Sequence, residues 1–288
     1  MYLTGFADEA AADMDGQIRA TRQLGWKNIE ARNIDGTNIH DLDEAAFDVV
    51  YGKLQEAGVH VNCFGSAIAN WSKSIEAPFD SSLEEARRAI PRMQRLGTKL
   101  VRIMSFAVLK DREADDQLEE ERFRRLRELQ KMFSDEGLEP VHENCMNYGG
   151  MGWPYTLRLI ENVPGLKLVF DTGNPVFSVD RSQADPDRKQ SAWEFYKHVR
   201  EHVAYVHIKD GRIDPETGKV QYTWPGEGDG DVRPIVADLL ARGYDGGISI
   251  EPHLQVVHHD QSREAKADAR YEAYLEYGRR MEALIANL

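Results

Sequence analysis

Cysteine is almost missing from this chain. Cys63 and Cys145 are the two in 288 residues, too few for a disulfide framework, so a reducing, cytoplasmic setting is the expectation. No apolar run approaches the roughly 20 residues that a membrane-spanning helix needs. The opening Met1-Tyr-Leu-Thr-Gly-Phe-Ala-Asp8 lacks a basic segment followed by an apolar one, so no signal peptide is expected. Basic residues are also in deficit: 36 Lys and Arg face 49 Asp and Glu, a net charge of −13. A surface this acidic repels phosphate backbones, which excludes nucleic acid and anionic membranes as expected partners. Finally, no glycine-rich phosphate turn follows the first strand-like run; Ala7-Asp-Glu-Ala10 stands there instead.

What is present is a strict alternation of strand-like and helix-like segments. Strand patterns cover 2–7, 28–31, 60–64, 100–105, 138–143, 166–171, 203–208 and 247–251. Amphipathic segments lie at 13–24, 43–57, 82–96, 115–135, 155–162, 188–202, 232–241 and 265–286. Gly25, Gly58, Gly97, Gly137 and Gly243 stand where helices would end in a left-handed cap. Eight β-then-α units in 288 residues average 36 residues each. That count predicts a (β/α)8 TIM barrel, with an open doubly wound sheet as the alternative. No linker divides the chain, so one domain over 1–288 is expected. Two long loops, 144–153 and 211–230, follow the fifth and seventh strands, on the barrel face where active sites are built.

Four strand patterns change abruptly from apolar to metal-competent residues: Glu143, Asp171, His207 and Glu251. They are 28, 36 and 44 positions apart, about one βα unit each time, which places them on strands five to eight. Neighbouring strand ends of a closed barrel surround one mouth, so these side chains can converge. Three carboxylates and one imidazole suit one hard or borderline divalent ion, Mn²⁺ first, with Mg²⁺, Co²⁺ and Zn²⁺ open.

The stretches His142-Glu143-Asn144, Phe170-Asp171-Thr-Gly-Asn174, Val206-His207-Ile-Lys-Asp210, Pro225-Gly-Glu-Gly228 and Ile250-Glu251-Pro252 resemble the xylose isomerase-like superfamily of sugar isomerases and epimerases. That superfamily also includes endonuclease IV-type enzymes. The resemblance implies a xylose isomerase-like TIM barrel whose metal ligands are Glu143, Asp171, His207 and Glu251. It also implies that Glu143 and Glu251 form an acid/base pair, as in the ketose epimerases. Two carboxylates on opposite sides of a carbon next to a carbonyl can remove a proton from one face and return it to the other. The pattern departs at Asn174, where ketose epimerases commonly carry histidine. That departure weighs toward the alternative, a lyase or dehydratase acting on a keto-sugar, keto-inositol or keto-glycoside.

Substrate-contact candidates are Phe64, Arg102, Trp153, Asn174, Lys209, Arg212, Glu227 and His253. Arg102 is a charge within a buried strand and demands a carboxylate, Glu30 or Glu143. His142 alternates with Glu143 and should face the helices, while His258 and His259 read as loop surface. Phe6, Phe64, Trp71, Trp153 and Trp224 lie at or past strand ends, where sugar rings could stack on them. No arginine cluster or glycine-rich nest suits a phosphate, so a non-phosphorylated carbohydrate is the expected partner. A homo-oligomer is compatible with the sequence.

Overall fold

The computed structural model describes residues 1–185, 187–255 and 267–288. Among them, eight parallel strands form the sheet: β1 Tyr2–Gly5, β2 Asn28–Ala31, β3 His60–Phe64, β4 Leu100–Ile103, β5 Glu139–Glu143, β6 Lys167–Asp171, β7 Val203–Ile208 and β8 Gly247–Ile250. Their spatial order is β1-β8-β7-β6-β5-β4-β3-β2. Between β1 and β2 the pairing among the described residues reduces to an isolated parallel bridge, Phe6 to Glu30. The barrel is therefore closed by a seam rather than by a full ladder.

Among the described residues eight longer helices accompany the strands, α1 Met14–Gln23, α2 Glu44–Ala57, α3 Asp80–Leu96, α4 Glu119–Ser134, α5 Trp153–Asn162, α6 Ala192–Val199, α7 Val232–Ala241 and α8 Ala267–Ala286, and a four-residue helix, Asn174–Phe177, follows β6. Their starts follow capping chemistry. Asp13 and Asp43 each accept a backbone N–H three residues on, from Gly16 and Ala46, and Ser191 does the same for Glu194. α2 and α3 end at Gly58 and Gly97, in left-handed conformations with φ of 63° and 72°. The reading of eight β/α units thus holds, with boundary shifts at the ends. One is at 188–202, where the regular helix is Ala192–Val199 and a 3-10 turn, Arg200–His202, completes it.

Side-chain alternation divides the apolar residues between two cores. Phe170 and Val206 point outward from their strands; Phe170 meets Phe195 and Tyr196 of α6 edge-on, with centroids 5.8 and 5.5 Å away. Cys63, Val141, Val169 and Tyr205 form a separate small cluster drawn from β3, β5, β6 and β7. Two residues beyond Val141, Val169 and Tyr205 come Glu143, Asp171 and His207. The period of two therefore puts these three side chains above the interior cluster, at the mouth. Cys63 and Cys145 are both free and buried. No helix among the described residues is long and apolar enough to cross a membrane.

Two antiparallel ribbons were not foreseen: Asn33–Ile34 with Thr37–Asn38, and Gly211–Ile213 with Val220–Tyr222. The second lies inside the long loop after β7, and Asp210 anchors it. Asp210 is fully buried and accepts four backbone N–H groups, from Gly211, Gly226, Gly228 and Gly230, at 2.8 to 3.0 Å. Gly228 is needed for this approach, since a Cβ there would collide with Asp210 Oδ1 and Gly211 N. Asp210→Ala leaves the buried N–H groups of Gly211 and Gly230 unpaired, each worth about 1–3 kcal/mol, and releases those of Gly226 and Gly228. It should lower the denaturation midpoint and open residues 211–230 to limited proteolysis. Unchanged stability and unchanged cleavage in that variant would refute the anchoring role.

Candidate metal centre and substrate cavity

Glu143 and Asp171 end β5 and β6, His207 is the penultimate residue of β7, and Glu251 directly follows β8. The structure brings all four together: one donor atom from each lies within 4.8 Å of the others, and all four residues are buried. His207 Nδ1 is 3.1 Å from Glu143 Oε1 and 4.0 Å from Asp171 Oδ2. Its other nitrogen, Nε2, lies 3.0 Å from Glu30 Oε2. Asp171 Oδ1 accepts the N–H groups of Gly173 and Asn174 at 2.8 and 2.7 Å.

Cations of the chain itself brace these carboxylates. Arg102 Nη1 is 3.1 Å from Glu143 Oε2, which answers the question of its partner in favour of Glu143. Lys209 Nζ sits between Asp171 Oδ2 at 3.0 Å and Glu251 Oε2 at 2.9 Å. Arg32 reaches Glu251 Oε1 at 2.8 Å, Asp8 at 2.9 and 3.0 Å, and Glu9 at 3.3 Å. His253 Nδ1 is 2.8 Å from Glu9 Oε1, and its Nε2 is 3.5 Å from Glu251 Oε1. Burial alone would raise the carboxyl pKa values. Arg102 and His207 nonetheless hold Glu143 below its ordinary range, and Lys209, His253 and Arg32 do the same for Glu251. Asp171 shifts the other way: burial raises it, and the Glu251 and Glu143 charges add to that against Lys209.

The donor set fits a divalent cation on three grounds. It consists of hard oxygen donors and one imidazole. Asp171 Oδ2 is buried and receives no hydrogen bond among the described residues, although Lys209 Nζ is near. Charge is also out of balance. The buried carboxylates Asp8, Glu9, Glu30, Glu143, Asp171 and Glu251 outnumber the buried Arg32, Arg102 and Lys209 by three among the described residues. Unpaired buried charge is costly, so protons or a bound cation must make up the difference. A second grouping, Glu9, Glu251 and His253, already encloses the Arg32 guanidinium.

A cavity of about 390 Å³ opens above this floor. Arg102, Asn174, Lys209 and His253 line it, together with Glu143 and Glu251. The other four predicted contacts do not. Phe64 is fully buried in the outer core, because Cys63 takes the interior side of β3 and alternation turns Phe64 outward. Trp153, at the start of α5, stacks on His198 of α6 with ring centroids 3.9 Å apart. Glu227 is exposed and pairs with Arg280 of α8 at 2.9 Å. Arg212 is exposed on the ribbon, while its neighbours Val220 and Tyr222 turn into the cavity. Of the five strand-end aromatics, Trp71 lines the cavity. Phe6 packs edge-on beneath His207, and Trp224 lies against Tyr277. His258 and His259 lie outside the described residues.

Sequence reading passed over Asp8, Glu9 and Arg32 as site residues, and also Ser249, Phe177, Tyr222 and Met146. A faint signal existed for Arg32: Ile29-Glu-Ala-Arg32 places opposite charges two apart at a strand end.

A family model for the xylose isomerase-like TIM barrel matches residues 18–276, and the chain belongs to that family. Among curated proteins, none matches it by sequence. Solved structures share the fold over nearly the whole chain. One is a xylose isomerase-like TIM barrel protein from Mycobacterium smegmatis in complex with magnesium, 17% identical, with a TM-score of 0.69 over 99% of this chain and 97% of that one. Another is AsbF of Bacillus anthracis, a probable 3-DHS dehydratase, 16% identical, with a TM-score of 0.69 over 98% and 99%. A third is the D-allulose 3-epimerase of Methylomonas sp. in complex with D-allulose, 16% identical, with a TM-score of 0.66 over 97% and 96%. At these identities the likeness shows the fold.

His142 faces away from the cavity, as alternation requires, and its Nε2 is 3.0 Å from Ser105 Oγ. Burial pushes its imidazole down to about 4, with the Glu143 charge offsetting part of the effect. The folded chain thus keeps this ring neutral where the unfolded chain protonates it, near pH 6.5. Its contribution is complete above pH 6.5 and is lost as pH falls toward 4, by about 3 kcal/mol at most. His142→Gln should flatten the fall in unfolding free energy between pH 6.5 and 4.5. Identical slopes in variant and parent would remove His142 from the acid limb.

Proposed function

We propose that the chain is a divalent-metal-dependent sugar isomerase or epimerase acting on a non-phosphorylated sugar or keto-sugar. The observation that carries this reading is the pair of buried carboxylates, Glu143 and Glu251, on separate strands of one donor set. Glu143, Asp171, His207 and Glu251 would hold the ion, Mn²⁺ by preference, with Mg²⁺, Co²⁺ or Zn²⁺ also suited to the donors. When bound, the ion supplies Lewis-acid polarisation of the substrate carbonyl.

The chain's own groups then move the proton. Glu143 accepts it from the carbon beside the carbonyl, and the freed electron pair passes to the carbonyl oxygen as an enediolate. Glu251, approaching from β8, relays a proton drawn from solvent water to the enediolate, and Glu143 afterwards releases the proton it took to solvent, which restores both carboxylates. Return to the other face of the same carbon inverts a stereocentre; delivery to the neighbouring carbon moves the carbonyl. Arg102 keeps Glu143 ionised between turnovers. Asn174, Lys209 and His253 line the cavity and can meet hydroxyls. The carboxylate excess over fixed cations is close to what one divalent ion would offset. An added phosphate or carboxylate would be poorly received, which supports a neutral polyol over DNA or a sugar phosphate.

Asn174 at the position of the epimerase histidine supports a second reading, a lyase. The first step is the same, and Glu251 protonates a β-leaving group instead of carbon. Incubation of Mn²⁺-loaded protein with ketoses, keto-sugars and keto-inositols in D₂O, followed by NMR, separates the two. Deuterium in a rearranged sugar supports the isomerase, an unsaturated product the lyase, and no exchange with any of them defeats both.

Purified protein should hold about one divalent ion per chain. Asp171→Ala and His207→Ala should strip it while leaving the far-UV circular dichroism intact. Full metal in both variants by elemental analysis would show the ligand assignment to be wrong. Glu143→Gln and Glu251→Gln should each lower turnover by roughly a hundredfold or more, the usual scale for a positioned general acid or base. Near-normal turnover in a metal-loaded variant would take that glutamate out of the mechanism.

A further inference from the structure

Glu30 belongs to β2, on the far side of the barrel from β5 and β6, yet it meets the metal-competent cluster. Its carboxylate is fully buried. Oε1 and Oε2 lie 3.1 and 3.0 Å from His207 Nε2, and Ser249 Oγ of β8 donates to Oε2 at 2.6 Å. Glu30 is not among the four residues whose donor atoms converge, so it sits behind the imidazole rather than beside the other carboxylates. Phe6, the other half of the bridge that closes the barrel onto Glu30, packs edge-on against the same ring, 5.0 Å between centroids. The imidazole is thus gripped at its back nitrogen and its flank.

A carboxylate at one ring nitrogen has a definite chemical consequence. It cannot donate, so it selects the tautomer whose proton lies on the nitrogen facing it. Nδ1 also faces a carboxylate, Glu143 Oε1 at 3.1 Å, but Glu143 and Asp171 belong to the converging donor set and Glu30 does not, so an ion held by that set would take the Nδ1 lone pair and leave the remaining proton on Nε2, at Glu30. We propose that Glu30 is a positioning residue of the metal centre, taking the Nε2–H of His207 so that the ring presents Nδ1 to the ion. Ser249 holds the carboxylate in turn. The barrel's weakest seam, between β1 and β2, thereby carries the group that orients a ligand on β7. This inference rests on the metal-dependent reading of the site.

The test is Mn²⁺ affinity, measured by chelator competition on the full chain, for the parent, Glu30→Gln and Glu30→Ala. Glutamine keeps an oxygen that accepts Nε2–H and an amide that donates to Ser249 Oγ, so its affinity should stay within a few-fold of the parent. Alanine removes the acceptor and should weaken binding ten- to a hundredfold, the usual scale for losing such an outer partner. Parental affinity in Glu30→Ala would overturn the proposal while leaving the metal site standing. Equal loss in Glu30→Gln and Glu30→Ala would also overturn it, since charge or packing would then be what matters. A parent that takes up no Mn²⁺ defeats the metal reading itself. Should Glu30→Ala not fold, ¹⁵N-histidine NMR of the Mg²⁺-loaded parent decides, with His207→Gln assigning the signal. A proton on Nε2 is the expected result, and a proton on Nδ1 refutes the proposal.

Discussion

Buried negative charge is the constraint on which this barrel depends. Asp8, Glu9, Glu30, Glu143, Asp171 and Glu251 are all buried at one end of the sheet, where each would be expensive without a partner. Arg32, Arg102 and Lys209 are inserted among them with contacts of 2.8 to 3.3 Å, and they explain why long basic side chains occur inside a barrel mouth. The pairing is incomplete by design of the composition: the fixed cations leave a surplus of carboxylate. Removing one partner of such a buried set costs more than the pair itself contributes, because the remaining charge is stranded. Fold and site are therefore not separable at this end of the molecule.

The same charges divide the labour among the loops. Asp210 stands immediately after the lysine that enters the site, but its carboxylate turns back to collect the N–H groups of Gly211, Gly226, Gly228 and Gly230. The glycine-rich segment after β7 is thus a folded cap around one acid rather than a cradle for a ligand. Its ribbon carries Val220 and Tyr222 to the cavity wall, where Tyr222 meets His253 and Phe177 edge-on, with centroids 5.1 and 5.3 Å away. The cavity thus has a partly apolar wall over a floor of charged groups.

Much of this was legible in the order of residues. Period-two runs that turn polar at Glu143, Asp171, His207 and Glu251 identify both the strands and the end of the barrel where the four donors converge, because alternation is a local property of extended chain. Helix starts at Asp13 and Asp43 and stops at Gly58 and Gly97 are equally local, fixed by hydrogen bonds within a turn or by a backbone angle. Arg102 announced its need for a carboxylate, although two acids satisfied the demand equally well on paper.

What the sequence could not decide was which distant residues share a place. Trp153 and Phe64 have the composition of sugar-stacking residues, yet one stacks on His198 and the other faces the outer core, according to helix packing and strand pleat. Arg32 and Glu251 are 219 positions apart and touch at 2.8 Å. Glu30 and His207 are 177 apart and touch at 3.0 Å. Barrel closure creates such neighbours by bringing the second strand back against the first, so that its side chains meet those of the seventh and eighth across the interior, and no local pattern records the angle at which it does so. Residue order alone determined the strands, the caps and the four converging donors. Which cations neutralise them, which carboxylate stands behind the histidine and which aromatics reach the cavity were decided by the tertiary structure, because those depend on contacts across the closed sheet.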